Sequence, residues 1–227
     1  MRYITSRLFF HIHLQNKILH SNIYIMDRLK EIIKSITPFL KEKGYSKKGN
    51  SFHLKSDKNF GIINFQKSQD GNKDEIKFTI NFGVYSDLLV KVVDFDYDNS
   101  KVPDVWSSQW QARIGHFMPD GNDFWWKIQP EGNLSEIISD IIDNIRNIIL
   151  PEIDKRLTDE GLMKSLIKGD FIRSTAVEKF KYLTIFLKAK GDIETLNEVV
   201  EKFMQQPDGK KYHDIVKEHL EEIEYSN

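Results

Sequence analysis

Strict alternation of apolar and polar residues between Glu75 and Val84 constrains the fold more than any other feature of the chain. The apolar positions fall on every second residue and are Ile76, Phe78, Ile80 and Phe82. The residues between them are Lys77, Thr79, Asn81 and Gly83. Successive side chains of a strand point to opposite faces, so this pattern predicts a strand with one buried face, as is typical of antiparallel sheets.

Two further segments rich in Phe and Ile precede this strand, at Ser51 to Ser56 and Phe60 to Lys67. Turn residues such as Asp57-Lys58-Asn59 separate them, which predicts an antiparallel meander. Apolar residues at helical spacing from Leu29 to Leu40 predict an amphipathic helix before the meander. A second apolar stripe, from Leu134 to Ile149, predicts a helix that ends before Pro151.

The region between the meander and the second helix gives weaker signals. An apolar run predicts a fourth strand near 88 to 95. Aromatic-rich arms at 110 to 117 and 124 to 128 flank Pro119-Asp120-Gly121-Asn122, which indicates a hairpin. A helix over 105 to 117 is the alternative, because the local pattern fits the two-residue period of a strand and the 3.6-residue period of a helix equally well.

After Pro151 the periodicity predicts helices at about 158 to 168, 174 to 190, 192 to 205 and 210 to 224. Gly191-Asp192 is the expected turn of an antiparallel helical hairpin. The fold class we predict is therefore α+β, with an antiparallel sheet covered by two helices and followed by a C-terminal all-α helical hairpin bundle. The corresponding domains are residues 26 to 151 and residues 152 to 227.

The first 26 residues contain no Asp or Glu, and their basic residues are Arg2, Arg7 and Lys17. An organellar transit peptide is one interpretation of an acid-free start. We favour Met26 as the natural start, because it directly precedes Asp27, a good helix N-cap. Residues 1 to 25 are then expected to be disordered or an upstream extension of the reading frame.

Composition narrows the function classes. The chain of 227 residues has 33 basic and 34 acidic residues. With this balance, the overall charge does not attract nucleic acid or an anionic membrane. It contains no Cys, which excludes disulfides, thiol catalysis and Cys-based metal sites and fits a cytoplasmic location. No apolar run approaches a membrane span, and the histidines lack metal-ligand spacing. We expect no cofactor and no metal.

Several short pieces between Gly44 and Pro151 occur together in a recognisable order. They are Gly44-Tyr45, Lys47-Lys48-Gly49, Asn64 to Ser68, Asn81 to Val84, Trp110 with Arg113-Ile114-Gly115, and Trp125-Trp126. In this order they resemble the bacterial family catalogued as domain of unknown function 4304. The resemblance implies a small α+β domain and supplies no activity.

All four Trp residues fall within one 21-residue stretch that also contains Arg113. Trp faces bind apolar or cationic groups, and Arg offers a fork for carboxylate or phosphate, so the stretch is a candidate pocket. Gln66, Asn81 and Arg113 lie at family-like positions and are expected either to line one polar face of the sheet or to hydrogen-bond to the backbone of bulges and loops. The six candidate ligand- or partner-binding residues are Gln66, Asn81, Trp110, Arg113, Trp125 and Trp126.

The alternative is structural: the rings fill the core, and Arg113 pairs with an acid such as Asp120 or Asp123. Trp125 and Trp126 are adjacent on a strand and must point to opposite faces. A single-strand groove formed by lysines and aromatics, and a metal site at Glu75-Ile76-Lys77, are weaker hypotheses.

No acid–base–nucleophile constellation is present, so we assign no catalytic residue. The expected function is non-enzymatic recognition of a protein partner, of an immunity or regulator type, without nucleic acid or membrane as a partner. The alternative is a small-ligand protein or enzyme that uses a pocket around Arg113 and Trp126. The partner's identity and the oligomeric state stay open at this stage.

Overall fold

A computed structural model of the chain describes residues 28–69, 75–93, 101–129 and 132–225. The expectations for residues 1 to 25 and for Asp27 as an N-cap lie outside these residues. The first helix, α1, covers 28–42. The strands are β1 (Ser46–Lys48), β2 (Ser51–Ser56), β3 (Asn59–Lys67), β4 (Ile76–Tyr85), β5 (Trp110–Arg113) and β6 (Trp126–Ile128). The later helices are α2 (Asp87–Val93), α3 (Leu134–Asn144), α4 (Leu150–Asp154), α5 (Asp159–Ile167), α6 (Ala176–Lys190), α7 (Ile193–Gln205), α8 (Pro207–Lys211) and α9 (His213–Glu222).

The six strands form one antiparallel sheet in the order β1-β2-β3-β4-β5, and β6 also pairs with β4. In that second pairing Ile76 lies opposite Ile128, and Phe78 lies opposite Trp126. The antiparallel meander predicted from the three segments rich in Phe and Ile is therefore confirmed. The α+β fold class is confirmed as well, with helices before and after the sheet and a helical C-terminal region.

The strand predicted near 88 to 95 is wrong, because residues Asp87–Val93 form α2. The Ser86 hydroxyl accepts a hydrogen bond from the Leu89 backbone N–H (3.3 Å), and the Ser86 carbonyl accepts one from Val90 N–H (3.1 Å). Ser86 thus caps the helix, and Asp87 places a carboxylate in its first turn. This local capping outweighs the strand propensity of the Val-rich run.

The hairpin predicted between 110 and 128 is also wrong, because β5 and β6 each pair with β4. Short 3-10 turns at Val105–Ser107 and Ile114–Phe117 flank β5 in place of the alternative helix. Backbone crowding at Gly115 explains part of this path. A Cβ there would lie 2.5 Å from the Phe124 backbone nitrogen, so only glycine allows the segment to fold back so closely.

The sequence predicted that the second helix ends before Pro151. The prediction is wrong, because the helical stretch continues through that residue. A π-helical turn at Ile145–Ile149 follows α3, and Pro151 lies in the first turn of α4. Proline has no N–H to donate and its ring clashes with the carbonyl four residues back in a regular α-helix, and the π-helical turn lies directly before it. The predicted helices near 158, 174 and 192 correspond to α5, α6 and α7. The last predicted helix is divided at Tyr212 into α8 and α9.

The chain divides into two compact units. Unit 1 comprises the described residues up to Phe52, Asn64–Asn81 and Arg113–Ile149. Unit 2 comprises His53–Ile63, Phe82–Ala112 and the chain from Leu150 onward. The boundary near residue 151 between two sequential domains stays a prediction.

A ladder of aromatic rings forms much of the core of unit 1. The ring centroids of Phe52 and Phe65 are 6.0 Å apart, those of Phe65 and Phe78 6.4 Å, and those of Phe78 and Trp126 5.4 Å. Such offset and edge contacts add to the free energy that burial already contributes. Apolar residues of α1, such as Ile32 and Ile36, are fully buried.

The helical hairpin predicted around Gly191 lies in unit 2. Gly191 ends α6 with φ 72°, a left-handed conformation that glycine adopts without strain. Phe180 of α6 and Phe203 of α7 stack with their ring centroids 4.3 Å apart. Their cluster also includes Val216 of α9, so the last helix closes the core of the hairpin.

Candidate functional site

Four of the six predicted site residues lie together in unit 1. Asn81 Nδ2 donates to Gln66 Oε1 at 2.7 Å, and Arg113 NH2 donates to the same oxygen at 3.2 Å. Arg113 Nε donates to Asn81 Oδ1 at 3.1 Å. The guanidinium also lies 5.2 Å from the ring centroid of Trp125. Strands β3, β4 and β5 therefore bring Gln66, Asn81 and Arg113 to one face of the sheet.

Asp123 completes this polar cluster. Its carboxylate accepts hydrogen bonds from Arg113 NH1 (2.7 Å) and from the Trp125 indole N–H (2.8 Å). Asp123 is one of the two acids that the sequence offered as a structural partner for Arg113. Each of the three guanidinium nitrogens donates to an internal acceptor, so the polar groups of the cluster largely satisfy one another.

Trp126 points to the opposite face from Trp125, as strand geometry requires. Its side chain is 5% exposed, and its indole N–H donates to Asp140 at 2.7 Å. Phe124 packs edge-on against it with the ring centroids 4.8 Å apart. Trp126 is therefore a core residue of unit 1 with a satisfied polar group.

Trp110 lies in unit 2 and is also buried. The guanidinium of Arg156 stacks 4.0 Å from its ring centroid, and the indole N–H donates to the Asp170 carbonyl at 3.3 Å. Arg156 is itself only 3% exposed and forms ion pairs with Glu152 and Asp170. These contacts fix the orientation of the Trp110 ring.

A groove lined in part by Trp110, one of the six candidate residues, lies in unit 2. Residues 106–111 form one side, residues 171–174 with Glu178 and Tyr182 form the other, and the volume is about 160 Å³. Trp106 and Ile172 border it with 50% and 57% of their surfaces exposed. Large apolar side chains with this exposure are typical of binding surfaces when they adjoin a concave site.

Two polar groups of this groove have unusual surroundings. The hydroxyl of Ser108, a residue that is 5% exposed, has no hydrogen-bond partner among the described residues. Burial raises the pKa of Tyr182 to about 12, and the nearby Glu178 carboxylate adds to that rise. Tyr182 therefore stays a neutral phenol, able to donate a hydrogen bond, throughout the physiological pH range.

A second network in unit 2 joins residues far apart in the chain. Asp159 Oδ1 accepts hydrogen bonds from Asn59 Nδ2 (2.9 Å) and from the Ser86 hydroxyl (2.8 Å). Asn59 Oδ1 in turn accepts from Asp87 N–H, and Gln109 Oε1 accepts from Ser86 N–H. The network borders a cavity of about 280 Å³. Because Asn59 and Asp159 are 100 residues apart, no local sequence pattern reveals it.

Two absences apply to the described ranges. Within residues 28–69, 75–93, 101–129 and 132–225, no group of three or more His, Asp or Glu side chains is placed to hold a metal ion. In the same part of the chain, no helix has the length and apolarity required to cross a bilayer.

The fold and the polar cluster define a small α+β protein whose sheet carries an internally bonded Gln–Asn–Arg–Asp set on one face. The model of the family described as Domain of unknown function (DUF4304) matches residues 36–155, more than half of the chain. The chain therefore belongs to that family, and the resemblance seen in its motifs is confirmed. No curated protein and no solved structure shows significant similarity to it.

Proposed function

We propose that this chain is a non-enzymatic recognition module that binds a protein partner through the groove beside Trp106 in unit 2. The observation that carries the proposal is the pair Trp106 and Ile172, both at least half exposed at the rim of a groove with a rigid aromatic wall. Trp is enriched among residues that dominate binding energy at protein interfaces. The proposal includes the cytoplasmic location that the absence of Cys favours.

The strand at the side of this groove suggests how a partner binds. Within the described residues, β5 pairs with β4 alone, so its other edge has no strand neighbour. The chain entering that strand, residues 106–111, lines the groove. An unpaired strand edge offers backbone donors and acceptors to an extended segment. We infer that the partner contributes an extended segment whose polar groups enter the groove and whose apolar side chains contact Trp106 and Ile172 at its rim.

The groove is better suited to this role than the polar cluster around Arg113. Arg113 already donates to Gln66, Asn81 and Asp123, and a ligand would have to replace those contacts. Trp126 is buried and offers almost no accessible surface. The small-ligand alternative, with a pocket around Arg113 and Trp126, therefore has less support than the recognition role.

The experiment is affinity capture by the tagged full-length chain from lysate of the source cells, followed by sizing and mass spectrometry. We expect one stoichiometric partner. Trp106→Ala should weaken its binding at least about 30-fold, as for other buried Trp anchors at interfaces. Because Trp106 is half exposed, the same change should alter the free energy of unfolding by no more than about 0.5 kcal/mol.

A pair of matched variants controls for a general loss of surface apolarity. Ile172→Ser should weaken the complex, whereas Ile193→Ser, on α7 and 48% exposed, should leave it unchanged. A partner that binds both groove variants as tightly as the unmodified chain would refute the assignment of this groove. Failure to capture any stoichiometric partner would refute the recognition role itself.

A further inference from the structure

One arginine of the groove beside Trp106 differs from the other arginines of the described residues. Arg173 lines the groove, is exposed, and makes no hydrogen bond or ion pair with any other described residue. The other four each donate to an acceptor within the chain; they are Arg28, Arg113, Arg146 and Arg156. The positive charge and the N–H donors of Arg173 are therefore available to a ligand.

Tyr182 of α6 supplies a second donor to the same groove. Within the described part of the chain its hydroxyl makes no hydrogen bond. Its ring packs against that of Phe171, with the centroids 6.2 Å apart, so the contact that holds the ring does not use the hydroxyl. Because burial and the Glu178 carboxylate raise its pKa to about 12, the phenol keeps its proton. A protonated phenol without an internal acceptor can donate to an oxygen of a ligand.

Glu178 is the one acidic residue of the lining, and it is already bonded to the chain. Its Oε2 accepts from Thr175 N–H at 2.7 Å and from the Thr175 hydroxyl at 2.9 Å, in the capping box at the start of α6. Arg173 is the one basic residue of the lining, so the formal charge of the lining is zero.

This charge balance favours a ligand with a single negative charge. A monoanion is compensated by Arg173, whereas a dianionic phosphate would carry a second charge that the nearby Glu178 repels. A cationic ligand would be repelled by Arg173, and one oxygen of Glu178 is already occupied by Thr175. A carboxylate has the required charge and accepts hydrogen bonds from both a guanidinium and a phenol.

The size of the groove favours one side chain over a whole small molecule. Its volume is about 160 Å³. Pockets that enclose drug-sized ligands usually have roughly 300 to 1,000 Å³. The exposed side chains of Trp106 and Ile172 border the groove, so residues of an extended segment on either side of the inserted one can contact them.

We propose that the groove beside Trp106 binds an Asp or Glu side chain of the partner's extended segment, with the Arg173 guanidinium and the Tyr182 hydroxyl as donors to its carboxylate. This inference rests on the proposed function, because it specifies which side chain the segment places in the same groove. Alternate residues of an extended chain share one face. The segment is therefore expected to carry an acidic residue with apolar residues two positions before and after it.

The test is fluorescence anisotropy with the full-length chain and labelled peptides whose two ends are capped. The first peptide has about seven residues, with Leu, Glu and Leu at alternate positions and Thr at the rest. In the second peptide Gln replaces Glu, which removes the charge and almost preserves the shape. We expect the Glu peptide to bind about tenfold more tightly than the Gln peptide, and we expect this preference to fall as salt is added.

Two variants test whether the preference arises in the groove. Arg173→Gln removes the charge and Tyr182→Phe removes only the hydroxyl, and each should lower the Glu-to-Gln preference to about threefold or less. The matched control is Lys202→Gln, at an exposed position of α7. It changes the net charge as Arg173→Gln does and should keep the full preference. An unchanged preference in both groove variants, or an equal fall in the control, would overturn the inference.

The variant Trp106→Ala separates this inference from the proposed function. If the two peptides bind equally and Trp106→Ala weakens both, the groove binds an extended segment without requiring a carboxylate. The inference then fails and the proposed function stands. If the Glu peptide does not bind saturably, the inference is overturned, whereas capture of a partner still decides the proposed function.

Two further peptides test other anions. A Gln peptide with a free C-terminus that binds as tightly as the capped Glu peptide would assign the groove to the end of a chain. A peptide with phosphoserine in place of Glu should bind more weakly, because Glu178 repels its second charge. Tighter binding of the phosphoserine peptide would assign the groove to phosphate and would overturn the inference.

Discussion

Acidification is expected to destabilise the helical part of unit 2 through His219. This side chain of α9 is fully buried, and its Nε2 lies 2.8 Å from the Thr184 hydroxyl of α6. The Thr184 hydroxyl lies within hydrogen-bond distance of the Phe180 and Lys181 carbonyls, to which it donates its one proton. His219 Nε2 is therefore the donor to Thr184, which fixes the neutral tautomer with the proton on Nε2.

The surroundings of His219 disfavour its charged form. Burial, together with the smaller effect of the nearby Lys181 ammonium, lowers its pKa from 6.5 to about 4. Glu222 lies 3.8 Å from Nδ1, too far for a good hydrogen bond. Attraction from this one carboxylate does not compensate for the lost hydration of an imidazolium ion.

The sign and size of the effect follow from linkage. In the unfolded chain His219 takes up a proton near pH 6.5, but in the folded chain only near pH 4. Between these values the unfolded state binds more protons, so stability falls as the pH falls. From pH 8 to pH 5 the loss is about 2 kcal/mol. For a chain of this size that lowers Tm by about 4 to 8 °C.

Thermal unfolding at pH 8 and pH 5 measures this change, and the variant His219→Gln isolates the contribution of one side chain. Glutamine cannot titrate, so the variant should lose about 2 kcal/mol less than the unmodified chain on acidification. Its lower stability at pH 8 cancels when the two pH values are compared. An NMR titration of the imidazole gives the folded-state pKa directly.

The matched control is His213→Gln, at the start of the same helix, where the side chain is 56% exposed. This variant should retain the pH dependence of the unmodified chain. The reasoning is refuted if His219→Gln and the unmodified chain lose the same stability on acidification. It is also refuted if the His219 resonance titrates near pH 6.5.

Two other substitutions test the packing described above. Arg113→Ala should lower the free energy of unfolding by about 1 to 3 kcal/mol, because it leaves the buried Oδ1 of Asn81 without a hydrogen-bond donor. Chemical denaturation should show this loss with an unchanged m-value. A destabilisation below about 0.5 kcal/mol would argue that the polar cluster is not structural. Gly83→Ala should cost about 1 to 3 kcal/mol, since the new Cβ would lie 2.6 Å from the Trp110 carbonyl oxygen and 2.9 Å from the Ser108 side chain. A Tm equal to that of the unmodified chain would contradict this close approach.

The sequence predicted the elements whose side chains follow one period over many residues. Strand β4 was predicted because Phe and Ile alternate with polar residues, and α7 because its apolar residues recur at helical spacing. Strands β2 and β3 were predicted because segments rich in Phe and Ile lie between turn residues. Helix α2 was mistaken for a strand because its short Val-rich run is ambiguous. The Ser86 hydroxyl accepts a hydrogen bond from Leu89 N–H and so caps a helix at this point. The pair Ser86-Asp87 is a helix-start signal that the sequence already contained.

Sites were predictable only where a single sheet brings the residues together. Gln66, Asn81 and Arg113 were grouped in advance because they lie on strands at family-like positions, and they do form one cluster. The Trp-rich stretch was predicted to form a pocket, but Trp106 was not named as a site residue, since exposure of an aromatic ring depends on what the rest of the chain covers. Similarly, no short-range pattern links Asn59 to Asp159, because only tertiary folding brings them together.

The two units are built from segments that alternate along the sequence, and this arrangement has a consequence for synthesis on the ribosome. All of unit 1 has been made once residue 149 is added, whereas His53–Ile63 and Phe82–Ala112 need the chain beyond Leu150 to complete unit 2. At about 5 to 20 residues per second, the remaining 78 residues take roughly 4 to 16 seconds. During part of that interval Trp110 lacks the Arg156 guanidinium and α2 lacks α6, against which they pack in the folded chain. The nascent chain is therefore expected to engage chaperones late in translation rather than early.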